Sequence, residues 1–371
     1  MPRVAELVEL LHGWYPPETA DEWDAVGLAA GDPEADVSRV LLAVDPVLPV
    51  AREAAEWGAG LLVTHHPLFL RGVHGVAETT PKGRTLAALT RAGCGLLTAH
   101  TNADHGTPGV SDALARALGL RDVRPVSASG PALDKIVVYV PMTHVERLRV
   151  AIAEAGAGEI GDYDSCSWTS TGEGRFRPLD GAHPAIGRVG DLEVVDEARV
   201  EAVLHRSRRT QVVRAMLAAH PYEEVAYDVM ELADPATATT GAGRIGDVDE
   251  TTLGELAEAV ARALPPTARG VLVGGDPGRV VRRVAVAGGA GDFLLGEVLG
   301  SGADVYVTSD LRHHVASEFL EQGGPSLLDV SHWAAEWTWL PELAVRLGAA
   351  LGDTVGIRVS TICTDAWQAR A

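Results

Sequence analysis

The stretch Leu327–Leu340, LLDVSHWAAEWTWL, passes from strand to helix in its middle. Its first four residues, Leu327-Leu328-Asp329-Val330, form an apolar run of the length of a short buried strand. Ser331 follows at the place of a helix N-cap, where its hydroxyl can accept from an orphan N–H of the first turn. His332 and Glu336 stand four apart, so they share one face of that helix, about one turn apart. An imidazole and a carboxylate so placed at a strand-to-helix junction can hold one metal ion or two. Taken alone, such a pair is more often a solvated helix contact. Its weight comes from its neighbours in the rest of the chain.

Upstream of this stretch, a helix is expected over 252–263, followed by strands at 270–273, 281–287 and 304–308. The same texture occurs near the N-terminus. An opening helix (2–15) and the segment DEWDAVGLAAGD (21–32) precede apolar segments at 39–45, 60–66 and 93–100. Helix-like stretches, 49–57 and 81–92, separate those segments, and alternating βαβα is the pattern of a sheet covered by helices. The two regions echo each other faintly. GAGLLVTHH (58–66) aligns with SGADVYVTSD (301–310), and GCGLLTAHTNAD (93–104) with GGPSLLDVSHWAAE (323–336). In both, polar residues sit just past the C-terminal ends of apolar strands, the edge where open α/β sheets bind ligands.

Between the two regions the texture changes. A strand with β-branched and aromatic residues (134–140) and a helix (143–154) lead into a polar, Gly-rich segment, 156–183. A strand-like piece (186–195), a helix (207–219) and a strand (225–232) complete a βαββαβ-like order, that of a small ferredoxin-like α+β module. The loop 234–248 is expected to be the return hinge. The fold class expected is therefore α/β, with one discontinuous metal-binding domain of two halves, 1–130 and 239–371, and an inserted α+β domain, 131–238.

With 371 residues, 46% of them hydrophobic and 22% charged, the chain is globular and of two- or three-domain size. No apolar run approaches the roughly 18 residues needed to cross a bilayer. Glu6 and Glu9 interrupt any signal-peptide core, so the opening helix is read as amphipathic and the protein as cytoplasmic. Cys94, Cys166 and Cys363 lie far apart without a CxxC pair, which gives neither a disulfide framework nor a thiolate zinc site. A net charge of −20 argues against general affinity for nucleic acid or anionic membrane. An anionic substrate would need a locally positive site, which bound metal ions can provide.

Three strand ends present residues of metal-ligand type. His65 and His66 follow Val63-Thr64, His100 and Asp104 bracket HTNAD, and His332 and Glu336 complete the set. Adjacent histidines in an extended segment point to opposite sides, so His65 and His66 suit two ions better than one. Asp104 and Glu336 can bridge ions about 3.5–4 Å apart. Five such ligands, with His100 in reserve, leave positions open for water or substrate, as a catalytic rather than a structural site requires. Nitrogen and oxygen donors without sulfur favour Zn, Fe, Mn, Co or Ni and do not choose among them.

These motifs resemble the dinuclear-metal-centre family of GTP cyclohydrolase I type 2 homologs, also called Nif-three-like proteins. The resemblance is carried by DEWDAVGL (21–28), VTHHPLF (63–69), AHTNAD (99–104), VTSDLRHH (307–314) and SHWAAE (331–336), and runs almost end to end. AHPYEEVAYDV (219–229) resembles the PII/CutA-like insertion of the longer members. The resemblance implies that His65, His66, Asp104, His332 and Glu336 are metal ligands. It places Asp310, His313 and His314 in a polar cluster near them. It further implies a toroidal homohexamer, a trimer of dimers, and hydrolytic opening of the guanine imidazole ring of GTP with loss of formate. One of His100, His313 or His314 would then shuttle protons.

GTP itself has no phosphate-binding signature here, since GxxxxGK[ST] is absent. Gly288-Gly289-Ala290-Gly291 can cradle a phosphate, although such a run is more often a tight turn. Two-metal hydrolysis of another nucleotide or a phosphoester suits the same ligands, and so does a non-catalytic hexamer that stores or senses metal. His220, Tyr222, Glu223 and Glu224 invite a ligand reading, against a plain helix end. Trp333, Trp337, Trp339 and Trp367 are read as packing residues, and Arg312 as a contact for an anionic substrate or a surface ion pair.

Overall fold

A computed structural model describes residues 1–128, 132–233 and 239–371. The chain divides into two compact units: Met1–Gly130 with Ala236–Ala371, and Pro131–Pro235. Among the described residues no helix is long and apolar enough to cross a membrane.

The first unit is mixed α/β and holds two sheets. One has five strands, in the spatial order Gly27–Ala30, Gly95–Thr98, Leu61–Thr64, Arg39–Ala43, Gly356–Val359. All are parallel except Gly27–Ala30, which pairs antiparallel at the edge. The other has six strands, in the order Leu272–Gly274, Ser326–Val330, Val305–Ser309, Val280–Ala290, Gly241–Thr252, Arg121–Ala128. Its three central strands, from Ser326–Val330 to Val280–Ala290, are parallel, and the flanking ones antiparallel. Leu61–Thr64, Gly95–Thr98, Val305–Ser309 and Ser326–Val330 are buried at every position. This explains their continuous apolar runs, since a parallel strand covered on both faces has no solvent side. A single core joins residues of both sheets, Val63, Leu97, Val284, Val307 and Leu328 among them, with Trp339 and Tyr15.

The two regions that echo each other in sequence are not separate halves in space. Gly356–Val359 completes the sheet of the N-terminal region, and Arg121–Ala128 completes that of the C-terminal one. A buried ion pair reinforces the exchange. Arg244 is 1% exposed, donates to both Asp112 oxygens (2.7 and 2.9 Å) and bonds the carbonyls of Gly106, Gly241 and Gly243.

Six strands were not expected at their observed places, the short edge strands Gly27–Ala30 and Gly356–Val359 among them. Gly241–Thr252 occupies much of the expected return hinge, whose residues 234–238 lie outside the described residues. Its glycines hide the strand in sequence, yet they are what close packing asks for. A Cβ on Gly246 would stand 2.6 Å from the Arg121 carbonyl oxygen of the neighbouring strand. Arg121–Ala128 is largely exposed and polar, and Trp168–Phe176 crosses the Gly-rich segment read as loop. The strand placed at 186–195 is instead Glu193–His205.

The second unit has four antiparallel strands, in the order Trp168–Phe176, Glu193–His205, Leu133–Pro141, Tyr227–Glu231, with helices Val145–Glu154 and Arg209–Ala219. Alternate residues of Glu193–His205 are buried with Leu148, Ile152, Val212 and Met216 from those helices. His220 is spent on structure there: its ring lies 2.9 Å from the Tyr139 carbonyl oxygen and accepts from the Tyr222 amide at 3.1 Å.

Candidate metal centre

Parallel strands end together, so the side chains just beyond them meet at one edge. Leu61–Thr64 delivers His65 and His66, whose amides bond the Ala43 and Val44 carbonyls and hold both residues in the extended path. Gly95–Thr98 delivers His100, and Asp104 from the short helix Thr101–His105. From the other sheet, Ser326–Val330 runs into Ser331, whose hydroxyl accepts from the Ala334 amide at 3.2 Å, and the helix His332–Trp337 then presents His332 and Glu336 inward.

Three imidazoles surround the Glu336 carboxylate, itself 2% exposed. Its Oε1 lies 2.7 Å from His332 Nε2 and 3.3 Å from His65 Nε2, and its Oε2 lies 3.1 Å from His66 Nε2. The two adjacent histidines thus face opposite oxygens of one carboxylate, the bridging place expected of Glu336. Asp104 does not share that place. Its Oδ1 lies 3.7 Å from His65 Nε2 and approaches only that imidazole among the ligand set. His100 joins His65 and His66 in one set of possible donors, each within 4.8 Å of the others, and His66, His332 and Glu336 form a second.

Each imidazole is fixed from behind. Nδ1 of His65 donates to the Ala99 carbonyl (3.0 Å), that of His66 to Asp45 (2.7 Å), that of His100 to Asp24 (2.8 Å) and that of His332 to Asp310 (2.7 Å). Those oxygens accept, so each Nδ1 bears a proton and Nε2 is the nitrogen left to face a metal. Asp24 also takes the Thr101 amide and hydroxyl, and Asp45 takes the Thr364 hydroxyl. Ser331 donates to Asp365.

The residues fit a metal. His65 Nε2, Asp104 Oδ1 and Glu336 Oε2 are buried without a hydrogen-bond partner, and a cation would satisfy all three kinds of atom. Gly289, at φ +72°, makes the room, since a Cβ there would stand 2.5 Å from Glu336 Oε1 and 3.1 Å from His332 Nε2. Gly289 therefore serves the carboxylate, while Gly288 and Gly291 make room for Val110 and Tyr306. Electrostatics agree. Burial works against charge on Glu336, yet the positive imidazoles of His332, His66 and His65 pull it well below the usual carboxylate range. Burial likewise opposes protonation of His66 and His332, but Glu336, with Asp45 and Asp310 respectively, raises them to about 10 and about 11. Burial raises Asp104. The centre gathers positive charge.

His313 and His314 are not brought in. They are exposed at the start of the helix His313–Glu321, rings 5.2 Å apart, and line neither opening to the centre. Asp310 reaches the centre through His332 and so orients an imidazole. Arg312 pairs with Asp292 at 3.0 Å. Trp333 and Trp339 are buried, whereas Trp367 is exposed at the smaller opening.

The larger opening is a cleft of about 710 Å³. Trp23, His105, Phe293 and the glycine run line it, with the carboxylates of Asp21, Glu22, Asp104, Asp292 and Glu336. No lysine or arginine is among the described residues that line it. The smaller opening, about 230 Å³, has Arg269, whose guanidinium bonds Asp329 at 2.8 Å. Sequence reasoning missed Asp24, Asp45, His105 and Phe293. For Asp24 a signal existed in the motif DEWDAVGL; for the others only the fold reveals the proximity.

A family model described as Duf34/NIF3 (NGG1p interacting factor 3) matches residues 2–366. A Mycobacterium tuberculosis protein named GTP cyclohydrolase 1 type 2 homolog is 49% identical over 372 residues, covering 99% of this chain and 97% of its own. A Bacillus subtilis protein of the same name is 38% identical over 331 residues, with 89% and 88% covered. Among solved structures, a Bacillus cereus protein related to NIF3 superposes with a TM-score of 0.67 at 36% identity, covering 99% of this chain and 98% of that one. A Staphylococcus aureus protein superposes with a TM-score of 0.70 at 27% identity, covering 100% and 99%.

Proposed function

The chain belongs to the Duf34/NIF3 family, and on that premise we propose that it is a dinuclear-metal hydrolase that opens a heteroaromatic ring. The guanine imidazole ring of GTP is the substrate that the relatives' name points to. One observation carries the reading: four imidazoles are each held through Nδ1, and three of them, His65, His66 and His332, set Nε2 against one buried carboxylate.

By proximity, His65, His100, Asp104 and Glu336 would hold one ion, and His66, His332 and Glu336 the other. Two divalent ions (Zn, Fe, Mn, Co or Ni by donor type) supply Lewis acidity and a water acidified toward neutrality. Asp24, Asp45 and Asp310 keep the imidazoles in the ligating tautomer and orientation. With its Nδ1 committed to Asp24 and its Nε2 turned inward, His100 is a ligand rather than a proton shuttle. His105 lines the cleft with Nε2 3.2 Å from Asp21 and Nδ1 without a partner, so it is the group placed to pass a proton between cleft and solvent.

From the family resemblance we carry over a cytoplasmic homohexamer, a trimer of dimers, and a PII/CutA-like class for the second unit. Light scattering on the purified chain tests the assembly. The function is tested by formate release from GTP, with metal per chain counted and Glu336→Ala as the blank. Turnover at about two ions per chain, lost in the variant, supports the hydrolase. Full occupancy without turnover of GTP or another nucleotide or phosphoester leaves a metal-storing or metal-sensing hexamer. A chain that takes up no metal overturns the centre itself.

A further inference from the structure

The cleft that leads to the centre is built for one kind of visitor. Two large aromatic side chains line it while remaining mostly in solvent, Trp23 at 57% exposure and Phe293 at 63%. The Trp23 ring stands nearly perpendicular to His100, with centroids 5.8 Å apart and planes at 81°, while more than half of its surface stays in solvent. Exposed aromatic faces beside a polar site are stacking platforms for flat rings.

The charge around them is mostly negative, opposed among the described residues only by the imidazoles of His100, His105 and His332. Five carboxylates line the cleft and no ammonium or guanidinium does, among the described residues. Asp104 and Glu336 face the candidate centre, which leaves Asp21, Glu22 and Asp292 as the charges in the rest of the lining. Asp292 has its cation outside the cleft, in Arg312 at 3.0 Å, and Asp21 has only the His105 imidazole at 3.2 Å. Glu22 has no cationic partner among the described residues. A triphosphate, with about four negative charges, would enter against this field with nothing but the ions to receive it.

We propose that the cleft selects an uncharged or cationic planar heteroaromatic, a purine-type base or its nucleoside, stacked on Trp23, and discriminates against the triphosphate. This rests on the hydrolase reading only for what happens after binding; the selection itself is a binding property. It makes Trp23 a specificity-determining residue and assigns the acidic rim, Asp21 and Glu22, the role of rejecting phosphate.

The test uses the full-length chain with its metal counted. Binding of guanosine and of GTP is measured by titration calorimetry at low and moderate salt. Guanosine is expected to bind at least about tenfold more tightly than GTP at low salt, with the gap closing as salt screens the rim. Trp23→Leu should weaken guanosine by about tenfold, the scale of one stacked base, with metal content unchanged. Asp21→Asn/Glu22→Gln should tighten GTP and leave guanosine alone. GTP binding as tightly as guanosine, guanosine binding indifferent to Trp23, or no binding of guanosine would each overturn the proposal. Formate measured on the same samples separates the two readings. Guanosine that binds through Trp23, with no formate from guanosine or GTP, sinks the ring-opening hydrolase and keeps the selection. Formate from tightly bound GTP does the reverse.

Discussion

Replacing Gly289 by alanine puts one methyl group against the central carboxylate. The added Cβ would stand 2.5 Å from Glu336 Oε1, where ordinary contact begins at 3.4 Å, so the oxygen must retreat by roughly 0.9 Å. Ligand distances in metal sites hold to about 0.2 Å, so a retreat of that size removes Glu336 from any shared coordination. The backbone adds a smaller cost. Gly289 sits at φ +72°, where a non-glycine residue loses about 1–2 kcal/mol. Gly289→Ala should therefore remain folded, with a modest drop in melting temperature. Its metal affinity should fall by at least the 10–100-fold typical of losing an orienting partner. Chelator competition with metal counting reads the affinity, and far-ultraviolet circular dichroism reads the fold. Gly296→Ala is the control, because nothing lies within 4 Å of its Cβ position in the helix Leu295–Gly300. An affinity within about threefold of the unsubstituted chain would refute the reasoning, since a threefold change is below what any displaced ligand costs.

Asp310→Asn should lower metal affinity about 10–100-fold, because the amide can offer its own protons to His332 Nδ1 and release the ligating tautomer; equilibrium competition measures it. After chelation, the chain should lose stability as pH rises. His66 and His332 bind protons more tightly folded (about 10 and about 11) than at their ordinary 6.5. Their contribution is thus full below pH 6.5 and is lost toward pH 10–11, where restored metal should flatten the melting profile. Metal uptake at pH 8 should accordingly release protons, which a pH indicator follows. Arg244→Met leaves Asp112 buried without its partner and should cost about 3–5 kcal/mol in urea unfolding. Adding Asp112→Leu to that variant should recover part of the loss.

The candidate ligands were legible because the strands that carry them are buried at every position and mostly apolar, so the polar residues past each run mark the sheet edge. His65, His66, His100 and His332 follow that rule, and Asp104 and Glu336 stand about one helical turn further on. Their supports do not. Asp24 and His100 are 76 residues apart and Asp45 and His66 are 21 apart, and no local period joins them. The pair His313-His314 was legible as chemistry yet lies on an exposed helix start, since histidine type says nothing about which way a helix faces. The glycine-rich strand Gly241–Thr252 defeated propensity for the opposite reason: close packing of backbones selected residues that strands usually avoid.

The exchange of strands between the two regions sets an order of events during synthesis. The Arg39–Ala43 edge stays bare until Gly356–Val359 has been made, and the histidines beside it wait as long for Glu336. Most of the chain must leave the ribosome before either sheet closes, so a nascent molecule carries an open edge and a half-built candidate centre. Neither region can be lifted out as a small metal-binding protein, and two separated fragments would regain the centre only by finding each other.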